Sequence, residues 1–213
     1  GSNWVPLDAF HSRDSQRVQA AVELAADLGC NMLRCWGGNL YEAERFFELC
    51  DQHGILVWQD FAFACARYPQ DDIFLARVKA EAEQVVKRLR NHACLAIWCG
   101  NNESDVAWKN WGWQKQYGYS AADSSAIASA YDQLFSDNIP FGISAADPYT
   151  PYIHTSPLSN WGKRENFNHH NMHYWGVWHG EEAIDSFRVN VPRFMTEYGM
   201  QSFPSFNSLT EAF

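Results

Sequence analysis

The sequence predicts a parallel α/β fold, a (β/α)8 TIM-type barrel that stops before its eighth strand. Three observations predict it. Short apolar runs alternate with longer amphipathic stretches, as strands and helices alternate in parallel sheets. The connections between them are mostly a few residues long. Acidic residues follow several of the apolar runs, where such folds place their ligand sites. An open doubly wound sheet is the alternative, but no Gly-rich phosphate-binding turn follows the first strand.

The first half of the chain alternates regularly. Strands are predicted at 3–6, 31–36, 55–60 and 94–99. Helices are predicted at 15–28, 41–52 and 72–89. In the first helix Val18, Val22 and Ala25 recur on one face, and Gly29 suits the position just past its end. The third helix carries many charged residues, which we interpret as an ordinary solvated face.

The second half is less regular. An aromatic-rich connection covers 104–122, and its length is typical of a functional loop or an extra helix. A helix is predicted at 125–135, after which Pro140, Pro148 and Pro151 break the chain. The remaining strands are predicted at 152–155, 172–178 and 194–197, and a helix opens at 209. Seven strands and a helix start predict one partial barrel domain over 1–213, with flanking domains outside the chain.

Composition excludes several classes of function. The net charge is −9 and no Lys/Arg cluster exists, which argues against nucleic acid and anionic membrane surfaces as partners. No apolar run reaches membrane length, and these residues contain no signal-peptide pattern, so we expect any targeting signal to lie outside this piece of the protein. None of the 6 cysteines forms a CxxC pair, so we expect mostly buried free thiols. This usage fits a cytoplasmic protein, although the sequence leaves the compartment and the oligomeric state open.

Aromatic residues are abundant. They make up 15% of the chain and include 10 Trp. Indole rings often line carbohydrate sites because the C–H faces of sugars pack on them, and a large aromatic core is the other interpretation. His169, His170 and His173 form a small cluster, but a metal site there would need further ligands. We expect neither a metal nor an organic cofactor.

Two glutamates stand where predicted strands end, Glu103 after 94–99 and Glu197 at the end of 194–197. A barrel points the carboxyl ends of its strands at one mouth, which would bring the two together. Retaining glycosidases use two carboxyl groups about 5–5.5 Å apart, one protonated and one ionised. The other interpretation is that each glutamate makes a strand-end salt bridge.

Several segments carry a family resemblance. The run Leu-Arg-Asn-His-Ala-Cys-Leu-Ala-Ile-Trp-Cys-Gly-Asn-Asn-Glu at 89–103 resembles the acid/base signature of glycoside hydrolase family 2, and Asn-Met-Leu-Arg-Cys at 31–35 resembles its second-strand motif. Further segments resemble the β-mannosidase branch of that family: 1–6, 33–38, 56–61, 173–180 and 193–204. Family β-galactosidases and β-glucuronidases usually carry His-Tyr-Pro after the second-strand Arg, where this chain has Trp36, Gly37 and Gly38.

The resemblance implies a role for each residue that matches. Glu103 corresponds to the general acid/base and Glu197 to the nucleophile of a retaining exo-β-mannosidase that acts on terminal β-D-mannose. Asn102 corresponds to a hydrogen-bond donor to the 2-hydroxyl of the sugar. Arg34 would lie beside the nucleophile, where a cation lowers the pKa of the carboxylate, or would form a plain buried ion pair.

The remaining candidates would shape the sugar pocket. Trp36 is the candidate for its floor, and Asp60 would contact the sugar or hold Arg34. Four further aromatic residues line the pocket or pack in the core: Trp161, Trp175, Trp178 and His179.

Two alternatives stay open at this point. Another exo-β-glycosidase of the same family, a β-galactosidase, β-glucuronidase or exo-β-glucosaminidase, would keep the mechanism and change the sugar. A non-catalytic sugar-binding barrel or an inactive fragment would change the class of function. Family members also carry β-rich domains before the barrel, one of which contributes to the sugar pocket.

Overall fold

The computed structural model describes residues 1–162, 167–200 and 205–212. Its contacts divide the chain into two compact units, Gly1–Leu158 and Ser159–Phe213. The prediction of a single partial domain over 1–213 stays a prediction. Within the described residues, no helix is both long enough and apolar enough to span a membrane.

The first unit contains a parallel sheet of five strands. The strands are β1 Ser2–Trp4, β2 Met32–Cys35, β3 Leu56–Asp60, β4 Leu95–Cys99 and β5 Tyr152–Ile153. They lie side by side in chain order, and every neighbouring pair is parallel, as the alternating pattern predicts. Asp60 pairs with Cys99, so β3 and β4 end at the same edge of the sheet.

Helices connect these strands. They are α1 Val18–Asp27, α2 Glu44–His53, α3 Asp72–Leu89, α4 Ser104–Asn110, α5 Trp113–Gln116, α6 Ala121–Asp132 and α7 Ile139–Ser144. A 3-10 helix, His11–Gln16, precedes α1 and overlaps the helix predicted at 15–28 at residues 15 and 16. The aromatic-rich connection at 104–122 contains α4 and α5, which confirms that it carries extra helical structure.

Helix α3 shows why the apolar pattern predicts these elements well. Its first turn is capped by Asp71, whose side chain accepts a hydrogen bond of 3.0 Å from the Phe74 backbone N–H. Its inward face buries a row of apolar residues: Leu75, Val78, Ala82, Val85, Val86 and Leu89. Charged residues cover the opposite face, so this long helix needs no partner beyond the core of its own unit.

The prediction that the helical chain breaks at Pro140 is wrong. Helix α6 begins with a capping box formed by Ser120 and Asp123, and the chain then stays helical through a π-helical stretch, Gln133–Asn138, into α7. Pro140 lies in the first turn of α7. Proline is tolerated best at the first positions of an α-helix, and Pro140 stands at such a position directly after the π-helical stretch.

The second unit contains three short parallel strands, β6 Ser159–Asn160, β7 Met172–Tyr174 and β8 Met195–Tyr198. The strand predicted at 172–178 ends at Tyr174, because residues 175–180 form turns closed on the Trp175 carbonyl. Strand β6 was not predicted, since two residues make no apolar run.

The described residues of this unit also form two short helices, α8 Ser186–Val189 and α9 Phe206–Ala212. The family-like segment at 193–204 is described only to residue 200, and its last four residues, 201–204, lie outside the described part of the chain.

Candidate active site

Arg34 and Asp60 form a buried ion pair where β2 and β3 end. Arg34 donates from Nη2 to Asp60 Oδ2 at 2.7 Å and from Nε to Oδ1 at 3.4 Å. The indole of Trp58 donates to Oδ1 at 2.8 Å, and the Gly37 backbone N–H donates to Oδ2 at 3.0 Å. Of the two roles that the sequence left open for Asp60, the structure shows the one in which it holds Arg34.

Arg34 also reaches two amide side chains. Its Nη2 donates to Asn102 Oδ1 at 2.8 Å, and its Nη1 donates to Asn3 Oδ1 at 3.3 Å. A guanidinium only donates, so the Asn102 oxygen must face Arg34 and the Asn102 NH₂ group must point elsewhere. Arg34 therefore fixes the orientation of the amide that precedes Glu103.

Glu103 lies at the start of α4, just beyond the end of β4. Its backbone is left-handed, with φ 60° and ψ 1°, and its N–H donates to the Ser156 carbonyl at 2.8 Å. A residue other than glycine adopts this conformation at a cost, and such strain clusters at functional sites. The turn brings the half-buried Glu103 side chain to the edge where β3 and β4 end.

Asn101 stabilises this turn through hydrogen bonds of its buried side chain. Its Oδ1 accepts hydrogen bonds from the Ser104 backbone N–H at 3.0 Å and from Thr155 Oγ1 at 2.8 Å. Its Nδ2 donates to the His154 carbonyl at 2.9 Å. Because Asn101 is fully buried, these bonds tie the start of α4 to the segment after β5 and limit the positions that Glu103 can adopt.

Cys65, which no motif in the sequence points to, contacts both Asn102 and Glu103. Cys65 Sγ lies 3.4 Å from Glu103 Oε2 and 3.4 Å from Asn102 Nδ2. All six cysteines are free thiols, as predicted, but Cys65 is exposed whereas four of the others are buried. Its position depends on a left-handed backbone at Cys65, with φ 46°, which no sequence pattern announces.

Trp36, the candidate pocket floor, follows β2 and is half-buried. A Cβ added at Gly38 would meet the Trp36 ring at 2.1 Å. The glycine at this position therefore lets the backbone pass against the indole face, and a larger residue would displace the ring.

In the second unit, Glu197 lies on β8 and receives two contacts from neighbouring side chains. Trp175 Nε1 donates to Glu197 Oε2 at 3.0 Å, and His173 Nδ1 lies 3.3 Å from the same oxygen. His173 pairs with Glu197 across β7 and β8, so the strand register itself brings the imidazole to the carboxylate. In the sequence, His173 stands in a histidine cluster with His169 and His170. The structure instead buries it against Glu197, and leaves His169 and His170 exposed.

The other aromatic candidates differ in their surroundings. His179 packs on Trp175, with ring centroids 5.0 Å apart, so both belong to the surroundings of Glu197. Trp161 packs edge-on against Tyr174, a buried residue whose hydroxyl donates to Glu182. Trp178 is 43% exposed, which makes it a surface residue of its unit.

One group in the first unit offers metal-ligand atoms close together. Asp51, His92 and Cys94 place such atoms within 4.8 Å of one another. These atoms are already engaged, since Asp51 accepts from the Cys94 N–H at 2.7 Å and contacts His92 Nδ1 at 2.7 Å. Burial and the neighbouring Asp51 also raise the pKa of the Cys94 thiol, which disfavours the thiolate that binds metals. The group fits a structural clamp between α2 and β4 better than it fits a metal centre.

Comparison with known proteins gives consistent results. Residues 11–212 match the family model described as glycosyl hydrolases family 2, TIM barrel domain. The chain is 36% identical over 218 residues to the β-mannosidase of Mus musculus, and 38% identical over 223 residues to β-mannosidase B of Thermothelomyces thermophilus. Each alignment covers 98% of this chain but 24% and 25% of those proteins. The chain therefore spans about a quarter of the length of the curated relatives it matches.

Solved structures give the same picture. The β-D-mannosidase of Dictyoglomus thermophilum superposes with a TM-score of 0.82 at 38% identity, covering 99% of this chain and 25% of that one. The β-glucuronidase of Parabacteroides merdae superposes with a TM-score of 0.54 at 21% identity, covering 71% of this chain and 17% of that one. The second likeness is a likeness of fold alone.

Proposed function

Because the chain belongs to glycosyl hydrolase family 2, we propose that it carries the catalytic residues of a retaining exo-β-mannosidase. The same family match confirms the predicted TIM barrel fold. The observation that carries the proposal is the similarity to β-mannosidases over 98% of the chain, together with a glutamate at each of the two positions that the chemistry requires. The substrate is a glycan or glycoside that ends in β-D-mannose.

The proposed reaction has two steps. In the first, a Glu197 carboxylate oxygen attacks the anomeric carbon of the terminal β-mannosyl unit, while Glu103 gives its proton to the leaving oxygen. In the second, Glu103 removes a proton from water, whose oxygen attacks the anomeric carbon and releases Glu197. Two inversions at the same carbon give mannose with net retention.

The surroundings of Glu197 suit a nucleophile. An ionised carboxylate only accepts hydrogen bonds, and the Trp175 indole N–H only donates. A proton on His173 Nδ1 would give the same oxygen a second donor. These contacts hold the carboxylate oxygen in a fixed direction, as attack on a single carbon requires.

The surroundings of Glu103 suit a residue that must stay in place through two proton transfers. The left-handed turn and its backbone bond to Ser156 set the direction of the side chain. Asn102, held through its oxygen by Arg34, keeps an N–H hydrogen available toward the 2-hydroxyl of the sugar. In this proposal Arg34 acts on the substrate by orienting Asn102, and Asp60 acts by holding Arg34.

The pocket residues complete the proposal. Trp36 provides an indole face at the end of β2 on which the apolar face of the sugar packs. Trp175 combines contact to Glu197 with a ring surface, and His179 packs behind that ring. The roles of Trp161 and Trp178 in sugar binding stay predictions from the sequence.

The test is hydrolysis of a panel of aryl β-glycosides by the protein in its full natural length. The panel contains the mannoside, galactoside, glucuronide and glucosaminide. We expect turnover of the mannoside that falls by several orders of magnitude in Glu197→Gln and stays unchanged in Glu181→Gln, an exposed control in the same unit. Turnover of another glycoside instead would keep the mechanism and reject mannose. No turnover of any glycoside would reject the enzyme assignment.

A further inference from the structure

We propose that Cys65 is a positioning residue for the acid/base glutamate, Glu103, and that its thiol holds the carboxylate through a hydrogen bond. The inference rests on the proposed function, since it assigns a role in that reaction. Its basis is the 3.4 Å contact between Cys65 Sγ and Glu103 Oε2. This distance lies in the range expected for a sulfur donor and a carboxylate oxygen.

The direction of this hydrogen bond follows from its neighbours. Arg34 can only donate, so Asn102 presents its oxygen to Arg34 and its NH₂ group to Cys65, at 3.4 Å. The sulfur therefore accepts from Asn102, which leaves the thiol hydrogen to be donated to Glu103. A directed chain of donors runs from Arg34 through Asn102 and Cys65 to Glu103, and each bond in such a chain polarises the next.

The backbone holds the thiol at this place. The Cys65 N–H donates to the Asn102 carbonyl at 2.8 Å, and the Asn102 N–H donates to the Phe63 carbonyl at 2.9 Å. These bonds fix the Cys65 backbone to the residue that precedes Glu103. They also hold the left-handed turn at Cys65, which aims the side chain at the carboxylate.

Core packing does not explain this cysteine. Buried free cysteines behave as small apolar residues, and Cys35, Cys50, Cys94 and Cys99 fit that description. Cys65 is exposed, so its side chain gains little from burial. Its contacts with two site residues are the interactions that distinguish it.

The thiol has a definite chemical consequence. A donor to the ionised carboxylate favours that form, which Glu103 needs when it removes a proton from water in the second step. Loss of the thiol would raise the pKa of Glu103, and the alkaline limb of the activity profile would move to higher pH. Other titratable groups around the pair in the first unit include Arg34, Asp60, Tyr68 and Asp105, and they are the same in every variant.

The test compares Cys65→Ala with Cys65→Ser in the full natural chain. Both replacements keep a Cβ at the left-handed position and the backbone bond to Asn102, so they differ mainly in whether a hydrogen-bond donor remains. We expect Cys65→Ala to shift the alkaline limb of kcat/KM upward by about half a pH unit or more. With a dinitrophenyl β-mannoside, whose departure needs no acid, its kcat should fall several-fold because that value reports the second step. Cys65→Ser should stay close to the wild type in both.

Controls separate this inference from the proposed function. Cys30→Ser, at a half-buried cysteine after α1, should leave both readouts unchanged. Thermal unfolding of each variant checks that the fold is intact. If Cys65→Ala keeps the wild-type pH profile and kcat while Glu103→Ala collapses, the positioning role is wrong and the proposed function stands. If Cys65→Ser behaves like Cys65→Ala, the hydrogen bond is not the cause. If the wild type hydrolyses no glycoside, both are overturned.

Discussion

Replacing Asp60 by alanine tests how much one buried carboxylate contributes to the stability of the fold. Four donors surround that carboxylate, from Arg34 Nη2 and Nε, Trp58 Nε1 and the Gly37 N–H. Removing it deletes the acceptor of two hydrogen bonds from a guanidinium whose side chain is 4% exposed. Breaking a buried ion pair from one side costs about 3–5 kcal/mol, and two neutral donors lose their acceptor as well. We therefore expect Asp60→Ala to lower the free energy of unfolding by about 3–5 kcal/mol.

The assay is urea-induced unfolding followed by far-ultraviolet circular dichroism. The matched control is Glu48→Ala, which removes an exposed partner of Arg45 on α2 and should leave the unfolding free energy nearly unchanged. Asp60→Asn keeps one acceptor oxygen and should give an intermediate loss. A loss of less than about 1 kcal/mol for Asp60→Ala would contradict this prediction, because removing one member of a buried ion pair costs more than that.

Two further predictions concern single side chains. Trp175→Phe keeps a ring but removes the donor to Glu197. Because a hydrogen bond to a charged group contributes about 1.5–3 kcal/mol, kcat on an aryl β-mannoside should fall by about 10-fold to 100-fold. An unchanged kcat would contradict this prediction. Burial lowers the pKa of His92, but its hydrogen bonds with Asp51 and Glu44 outweigh burial and raise it overall. The resulting stabilisation is complete below the unfolded pKa of about 6.5 and is lost as pH rises through the higher pKa of the folded state. The free energy of unfolding, measured between pH 5 and 8, should therefore fall with rising pH by an amount that His92→Gln removes. Equal pH dependence in the two proteins would contradict this prediction.

The elements that the sequence predicts well are those whose stability is local. Strands β2, β3 and β4 coincide with short apolar runs. Helix α3 has the predicted bounds because its capping Asp71 sets the first residue and its apolar face continues to the last. The pattern fails where tertiary packing decides. The chain stays helical across Pro140, and β7 stops at Tyr174 because turns on the Trp175 carbonyl replace strand pairing.

The site divides in the same way. Arg34 and Asn102 are predicted through the family resemblance and Asp60 from its place at a strand end, and the structure brings the three into contact in the first unit. Trp58 and Cys65 were missed because their contacts depend on side-chain direction and on a left-handed turn, neither of which leaves a pattern in the sequence. His173 was noticed for a different reason, and only the pairing of β7 with β8 shows that it contacts Glu197.

The proposed mechanism requires Glu197 to form a covalent bond to mannose. The most direct measurement is mass spectrometry of the protein after incubation with a deoxyfluoro-β-mannosyl fluoride, a reagent that forms the glycosyl-enzyme readily and releases it slowly. We expect one sugar per chain, on the peptide that contains Glu197, and slow return of activity after the reagent is removed. A label on a different carboxylate, or turnover of β-mannosides without any covalent label, would contradict it.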